Sequence, residues 1–301
     1  MISLPGAFVG RADRSPEWAR WIQALPRLMA DVVAEWQLEP SGEPMTGGTA
    51  VVVPVVTASG EHAVVKFGLP HPESAHEHLA LRAWAGDGAV RLLRADPRRG
   101  VLLLERAEHG GDLSSVPILE ACEVIAGLYT RLHRPALPQL DRLSDHAARW
   151  ARELAGLRDS RVVPRRFVDQ AIGLADGFAT DPATDSALIH TDLHYFNVLA
   201  AVREPWLAID PKPLAGDPAY EIAPLLWNRW TEAIATGDLR NAVRERMFTV
   251  VDAAGLDEDR VRGWIVVREL VNVLWATTDP AASTDPGWIT AATTIVKAVQ
   301  L

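Results

Sequence analysis

The stretch that ends at Asp210 carries the most informative polar residues of the chain. Asp192 and Asn197 stand in the order H-x-D-x-x-x-x-N, and Asp210 closes the apolar run that begins at Trp206. Phosphoryl transfer needs one carboxylate that orients the attacking hydroxyl and receives its proton, and oxygen ligands that hold Mg²⁺ against the nucleotide phosphates. We therefore predict Asp192 as the catalytic base and Asn197 and Asp210 as the metal ligands.

A kinase of this type also needs a lysine on a strand for the α- and β-phosphates and a helical glutamate that positions it. Lys66 lies between apolar residues of a predicted strand, where a charge is costly unless it is paired or binds a ligand. The next helix offers Glu73 and Glu77 on one face, and we favour Glu77 because it lies deeper in the helix. Lysine, glutamate, base and metal ligands follow one another in the order that a two-lobed kinase requires.

The remaining nucleotide contacts are predicted from position along the chain. Gly47, Gly48 and Thr49 form a turn ahead of Lys66, and their backbone N–H groups are placed to cover phosphates. This turn departs from the pattern G-x-G-x-x-G, so on its own it is a weak signal. We expect the adenine to bind the backbone between Glu105 and Ala107, with ATP held between two lobes.

These motifs carry a family resemblance. The run His190-Thr-Asp-Leu-His-Tyr-Phe-Asn197 resembles the catalytic loop of the aminoglycoside phosphotransferase superfamily, and Asp210 resembles its metal-binding aspartate. More narrowly, residues 77–93 and 223–229 resemble the streptomycin 6-phosphotransferase and hydroxyurea-resistance kinase subgroup. The resemblance covers about residues 46–275, and it implies a protein-kinase-like fold, ATP as donor and a substrate hydroxyl as acceptor.

Two further departures bear on regulation and on the metal loop. Thr191 stands where eukaryotic protein kinases carry arginine, which removes the usual partner of a phosphorylated activation loop. Pro211-Lys212 follows Asp210 in place of Phe-Gly, which alters the loop beyond the metal ligand.

The surrounding pattern predicts an α+β, bilobal, protein-kinase-like fold with a small antiparallel sheet in the N-terminal lobe. Residues 1–106 form this nucleotide-binding lobe, with a helix over 15–37 that Pro26 is expected to kink or break. β-Branched runs at 45–56 and 63–67, and shorter ones at 90–93 and 100–105, predict its strands. Residues 107–301 form a mainly helical lobe, with helices predicted over 116–133, 143–157, 165–179, 221–236, 239–254 and 257–277.

Composition narrows the class of partner. The net charge of −9 disfavours nucleic acid, whose binding depends on cationic contacts, and suits a cationic small molecule. No apolar run approaches the ~20 residues that span a bilayer, and no signal peptide is evident. The single cysteine, Cys122, suits a buried apolar position. We expect a cytoplasmic monomer or homodimer.

The acceptor is less well determined. The resemblance favours streptomycin at its 6-hydroxyl, and an amino sugar, another sugar or hydroxyurea remain alternatives. Asp217, Glu221, Trp227 and Glu269 are the candidate substrate residues, although Asp217 is better suited to bracing the catalytic loop and Glu221 fits either role.

Two other functions are open at this point. His190, Asp192 and His194 at alternate positions would converge on a metal ion if they lay on one strand, as in a metal-dependent hydrolase. A protein that holds nucleotide without turnover is the third class, and the presence of Asp192 argues against it because binding alone needs no base.

Overall fold

The structure is a computed structural model and describes residues 4–107, 110–278 and 286–300. Contacts within the chain divide it into two units, Met1–Glu108 and His109–Leu301. The first unit contains the predicted sheet and the second contains most of the predicted helices, together with the segment from Ile189 to Asp210.

A twisted antiparallel sheet organises the first unit. Its strands are β1 Glu39–Pro40, β2 Met45–Thr46, β3 Ala50–Val56, β4 His62–Gly68, β5 Leu92–Asp96 and β6 Val101–Glu105. They are ordered β1-β3-β4-β6-β5, with β2 also paired to β3, and every pairing is antiparallel. Gly100 turns the chain into β6 at φ +67°, and a Cβ there would lie 2.8 Å from the Gly68 carbonyl oxygen.

A long N-terminal helix packs against the sheet and contributes to the apolar core of the first unit. The helices are α1 Gly6–Val9, a 3₁₀ turn at Gly10–Arg14, α2 Pro16–Glu35, and α3 Glu77–Trp84 after a 3₁₀ turn at Pro72–Ser74. Ser15 caps α2 by accepting a hydrogen bond from the Trp18 backbone N–H. The apolar stripe of α2 and the inner face of the sheet form one buried cluster, which includes Leu25, Met29, Val53 and Val65.

Of the kink or break expected at Pro26, the break is wrong, because α2 continues through Pro26 from Pro16 to Glu35. Proline removes one backbone hydrogen bond of the helix. Leu25 and Met29 on either side are fully buried, so packing of the apolar stripe against the sheet outweighs that loss.

The second unit is mainly helical with three short strand pairs. Its helices are α4 Ile118–Leu132, α5 Leu143–Leu154, α6 Arg165–Thr180, α7 Ala223–Trp227, α8 Trp230–Ala235, α9 Leu239–Ala254, α10 Glu258–Thr278 and α11 Pro286–Val299. Its strands are β7 Arg134–Pro135, β8 Ala187–Ile189, β9 Val198–Ala200, β10 Trp206–Ala208 and β11 Leu214–Gly216. Helices α4 and α9, α5 and α6, and α10 and α11 pack in pairs.

The helix predicted over 221–236 is divided into three pieces. A 3₁₀ turn at Pro218–Ile222 leads into α7, and Arg229 at φ +53° separates α7 from α8. The Arg229 guanidinium donates to the carbonyl oxygens of Leu113 and Val116, and Arg246 donates to those of Asn228 and Arg229. These long-range bonds compensate for the left-handed backbone.

Several elements have no counterpart in the sequence prediction, including the turns at Gly6–Arg14 and helix α11. In α11 the buried positions Ala291, Ala292, Ile295 and Val296 follow a helical period. Within the described ranges, no helix is both long enough and apolar enough to cross a membrane.

Candidate active site

Backbone pairing brings the loop of Asp192 beside the loop of Asp210. Strand β8 pairs with β11 ahead of the first loop, and β9 pairs with β10 beyond it. The Ile209 N–H then donates to the Asn197 carbonyl oxygen at 2.9 Å. Gly216 allows the close approach of β11 to β8, because a Cβ there would lie 2.2 Å from the Ile189 Cδ1. The predicted base and both predicted metal ligands therefore share one small region of the second unit.

Both loops contain a residue with left-handed backbone. Thr191 has φ +65° and Asp210 has φ +58°. This left-handed conformation costs a residue other than glycine on the order of 1–3 kcal/mol. The Thr191 hydroxyl donates to the Lys212 carbonyl oxygen at 2.7 Å, and the Thr191 N–H donates to the Glu221 carboxylate. Such strain is characteristic of functional loops, since the surrounding structure must hold it in place.

The Asp192 carboxylate lies between two basic side chains. Its Oδ2 is 2.8 Å from the Lys212 Nζ, and its Oδ1 is 3.7 Å from the His194 Nε2. The Asp192 carbonyl oxygen accepts a hydrogen bond from the Asn197 Nδ2 at 2.9 Å. The Asp192 side chain keeps 21% of its surface accessible, so a ligand can reach the carboxylate.

The two histidines of the loop hold backbone in place. His190 is fully buried; its Nε2 lies 2.9 Å from the Ile209 carbonyl oxygen, and its Nδ1 accepts from the Asp192 N–H. The His194 Nδ1 accepts from the Phe196 N–H. Burial lowers the pKa of both imidazoles, which keeps them neutral at pH 7.

This arrangement is contrary to the alternative of a metal-dependent hydrolase. The nitrogens of His190 are directed at backbone groups and not toward a point shared with Asp192 and His194. In the part of the chain that the structure describes, no group of three His, Cys, Asp or Glu side chains is arranged to hold a metal ion.

Glu221 braces the loop from below. It is completely buried, its Oε1 accepts from the Thr191 N–H, and its Oε2 lies 2.7 Å from the His133 Nε2. The Tyr129 hydroxyl donates to the Glu221 carbonyl oxygen at 3.0 Å. Of the two roles that the sequence left open for Glu221, these contacts favour bracing.

Asp217 is engaged in a similar way. Its Oδ1 caps the 3₁₀ turn by accepting from the Ala219 N–H, and its Oδ2 accepts from the Trp264 Nε1 at 2.6 Å and from Arg260. It is 3% exposed. These contacts agree with a role in bracing the catalytic loop, which the sequence favoured over substrate contact for Asp217.

The other two candidate substrate residues, Trp227 and Glu269, lie on two different helices of the second unit. Trp227 ends α7, and the guanidinium of Arg268 lies 5.6 Å from the centre of its ring. Glu269 follows on α10 and is fully buried, and among the described residues its Oε1 has no hydrogen-bond partner. Burial raises the pKa of this carboxyl to about 8, against smaller opposite effects of Arg268 and Asn272.

In the first unit Lys66 and Glu77 form a buried ion pair. The Lys66 Nζ lies 2.7 Å from both oxygens of Glu77, and the two residues are 9% and 3% exposed. Lys66 is on β4 and Glu77 opens α3. Glu73 instead lies beside His71 on the surface, so the structure pairs Lys66 with the deeper glutamate.

The turn at Gly47, Gly48 and Thr49 connects β2 to β3 and is exposed. The Arg11 Nη1 donates to the carbonyl oxygens of Gly47 and Gly48 at 2.6 and 2.8 Å. Neither glycine has a positive φ, and a Cβ at Gly48 would meet no atom within 4 Å. The turn itself therefore does not require these glycines, whereas close approach of a ligand to the backbone would.

The predicted adenine contact lies at the end of β6. The Glu105 N–H donates to the Arg91 carbonyl oxygen, and the Glu105 carboxylate accepts from the Arg91 N–H, both at 2.9 Å. Ala107 follows outside regular secondary structure and is half-buried. Pairing with Arg91 fixes the backbone direction ahead of Ala107.

The donor set of the second unit fits Mg²⁺. The Asn197 amide nitrogen is held by the Asp192 carbonyl oxygen, so its Oδ1 is directed away from that bond. The bond from the Ile209 N–H to the Asn197 carbonyl oxygen brings Asp210 next to Asn197. One amide oxygen and one carboxylate are the hard ligands with which Mg²⁺ is held when waters and phosphates complete its shell.

Sequence reasoning missed Lys212 and Arg11. Lys212 is one of only three lysines in the chain and stands between two prolines directly after Asp210, which was an available signal. No sequence signal pointed to Arg11, because its hydrogen-bond partners lie 36 and 37 positions away.

Comparison with known proteins gives a consistent result. Residues 35–280 match the family described as aminoglycoside/hydroxyurea antibiotic resistance kinase. The chain is 40% identical to a streptomycin 6-kinase from Streptomyces griseus, covering 98% of each chain, and 41% identical to a hydroxyurea phosphotransferase from Kitasatospora aureofaciens, covering 86% of this chain and 75% of that one.

A solved structure extends the comparison to the fold. Spectinomycin phosphotransferase APH(9)-Ia, in complex with ADP and spectinomycin, aligns with a TM-score of 0.60 at 11% identity, covering 91% of this chain and 97% of that one. At this identity the match concerns the fold, which is protein-kinase-like.

Proposed function

This chain belongs to the aminoglycoside/hydroxyurea antibiotic resistance kinase family, and we propose that it transfers the γ-phosphate of ATP to the 6-hydroxyl of streptomycin. The observation that carries the chemistry is the Asp192 carboxylate, which a strained, hydrogen-bonded loop presents beside Asn197 and Asp210. A protein that only binds nucleotide has no use for such a carboxylate.

In the proposed reaction Asp192 orients the acceptor hydroxyl and takes its proton. The acceptor oxygen bonds to the γ-phosphorus, the bond from this phosphorus to the β,γ-bridging oxygen breaks, and ADP leaves with that electron pair. General-base catalysis of this kind contributes about 10²–10⁴ in rate. Burial of His190 and the bonds of Glu221 keep the loop of Asp192 in one conformation while the proton moves.

The remaining residues are assigned to binding. Lys66, positioned by Glu77, binds the α- and β-phosphates, and the turn at Gly47, Gly48 and Thr49 covers the phosphates with N–H groups. The backbone between Glu105 and Ala107 binds adenine. Asn197 and Asp210 would hold Mg²⁺, which when bound neutralises phosphate charge.

The acceptor is inferred from the relatives and from charge. The streptomycin 6-kinase resembles this chain over 98% of both, and a net charge of −9 suits a substrate with guanidinium groups. Hydroxyurea is the second candidate, because the 41% identical relative is a hydroxyurea phosphotransferase. Since ATP is the donor, we place the reaction in the cytoplasm.

The test is phosphorylation by the purified chain with ATP and Mg²⁺, measured by mass spectrometry. Streptomycin, hydroxyurea, glucosamine and a neutral sugar serve as separate acceptors, and Asp192→Asn serves as the inactive control. A phosphorylated streptomycin at its 6-position supports the proposal. Transfer to another acceptor alone would retain the chemistry and reject streptomycin as the substrate. Absence of transfer to any of these acceptors, together with absence of ATP binding, would reject the kinase.

A further inference from the structure

Lys212 is the basic group nearest to the proposed reaction centre in the second unit. Its Nζ lies 2.8 Å from the Asp192 Oδ2, and its side chain remains 38% exposed. Lys66 is paired with Glu77 in the other unit, and the third lysine of the chain, Lys297, lies on α11. Lys212 has no part in the functions assigned above.

The backbone of Lys212 is fixed from both sides. Its N–H donates to the His190 carbonyl oxygen at 3.0 Å, and its carbonyl oxygen accepts from the Thr191 hydroxyl at 2.7 Å. Both partners belong to the loop that carries Asp192. Pro211 and Pro213 on either side further restrict the segment. The chain thus holds this cation at a defined position beside the base.

We propose that Lys212 contacts the transferring γ-phosphoryl group and stabilises the charge that develops on its oxygens. The proposal rests on the proposed function, since it assumes that Asp192 accepts the proton of the acceptor hydroxyl.

The distances follow from the position of Asp192. A base lies about 2.6–3.2 Å from the oxygen that it deprotonates, and that oxygen lies about 3–3.5 Å from phosphorus before it attacks. The γ-phosphoryl oxygens therefore come within a few ångströms of the Asp192 carboxylate, which the Lys212 ammonium already touches. An ammonium has three donors, so its bond to Asp192 is compatible with a second bond to a phosphoryl oxygen.

The chemistry of the step gives this contact a purpose. As the acceptor oxygen approaches and the β,γ-bridging bond breaks, negative charge spreads over the equatorial oxygens of the phosphoryl group. A cation already in place stabilises that charge without reorganisation during the reaction. A charge-assisted bond to phosphate is also stronger than a neutral one.

The competing interpretation is that Lys212 only neutralises Asp192. In that case removing the lysine would leave an uncompensated carboxylate, and that carboxylate would repel the γ-phosphate. Both interpretations predict that Lys212→Ala alone weakens the binding of ATP more than the binding of ADP. A second measurement is therefore needed to separate the two interpretations.

The first measurement compares two nucleotides by calorimetry with Mg²⁺ and the whole chain. Lys212→Ala should weaken the binding of the β,γ-imido analogue of ATP about 10-fold and change ADP binding by less than about 2-fold. The turnover number should fall by about 10²–10³. Lys297→Ala, an exposed lysine of the same unit, is the matched control and should leave all three values unchanged.

The second measurement repeats the comparison in the Asp192→Asn background, as a double-mutant cycle. If Lys212 contacts the γ-phosphoryl group, Lys212→Ala still weakens the binding of the imido analogue by several-fold in this background. If the lysine only neutralises Asp192, the effect disappears, and the proposal is rejected.

Folding does not obscure the outcome, because the backbone bonds of Lys212 remain in any side-chain variant. Lys212→Met, which keeps an unbranched side chain but removes the ammonium group, should reproduce the loss seen for alanine. If Lys212→Ala loses affinity for ADP and for the imido analogue equally, the proposal for Lys212 is rejected. The proposed function is still supported in that case, provided that the wild type turns over. Failure of the wild type to bind either nucleotide would reject both.

Discussion

The two units position their charged groups in different ways. In the first unit one ion pair, Lys66 with Glu77, joins a regular strand to a regular helix. In the second unit Asp192 lies in a loop with left-handed residues on both sides of the site, held by Glu221, His190 and backbone bonds. The predicted phosphate-binding lysine is thus held by one partner on a regular helix, whereas the predicted base is held in a strained loop by several distant residues.

The largest effect is expected at the base. Asp192→Asn keeps the shape of the side chain but cannot accept the proton, so the turnover number should fall by about 10²–10⁴-fold. ADP binding should change little. The rate of phosphoryl transfer and calorimetry with ADP measure the two values, and an unchanged turnover number would refute the assignment.

The ion pair of the first unit can be separated into stability and binding. Glu77→Leu leaves Lys66 buried without its partner and should lower the free energy of unfolding by about 3–5 kcal/mol. The double variant Lys66→Met/Glu77→Leu should recover most of that loss, because an apolar pair of similar volume replaces the ions.

ATP binding should be lost in the single variant and in the double variant, since neither retains a positioned lysine. Thermal unfolding measures the stability of each variant, and calorimetry measures its affinity for ATP. Full ATP affinity in the double variant would show that the lysine is structural.

Glu269 tests the second unit at a buried carboxyl group, one oxygen of which has no hydrogen-bond partner among the residues that the structure describes. Its pKa is raised from 4.5 to about 8, so the folded state holds a proton that the unfolded state has released. This stabilisation is complete below pH 4.5 and is lost as pH rises toward 8.

Glu269→Gln removes that dependence. The free energy of unfolding of the wild type should therefore fall relative to the variant by on the order of 2–4 kcal/mol between about pH 5 and about pH 8. Denaturant unfolding at several pH values measures it, and parallel curves would contradict the shift. A raised KM for streptomycin in the same variant would support the predicted contact of Glu269 with substrate.

The smallest effect is expected at Arg11, whose two bonds are exposed. Arg11→Ala should raise the KM for ATP by about 2- to 5-fold, because the turn at Gly47 and Gly48 loses its support. Arg14→Ala is the matched control, since the guanidinium of Arg14 lies over Trp18 and not at the turn. Equal increases in KM for the two variants would show that the change arises from the 3₁₀ turn at Gly10–Arg14 and not from the turn at Gly47 and Gly48.

Local signals were sufficient for the main strands, for most of the long helices and for the type of chemistry. β-Branched runs predicted strands where β3 and β4 occur, and the family and the fold class that the motifs implied are confirmed. The segment from Ile189 to Asp210 was found because its residue types and spacing have few other uses. The roles of individual site residues stay predictions until the variants above are measured.

Long-range contacts decided what the sequence did not. Pro26 did not break α2, because burial of the helix on the sheet outweighed one lost bond, and Arg229 divided the helix predicted over 221–236.

The sequence by itself determined the order of Lys66, Glu77, Asp192, Asn197 and Asp210, to which it assigned predicted roles, since each was recognised from neighbours a few positions away. Only the tertiary structure decided that Glu221 braces Thr191, that Lys212 touches Asp192, and that Arg11 supports the turn at Gly47. Those contacts join residues 20 to 37 positions apart. Pairing at that separation depends on how whole elements pack, which no local pattern encodes.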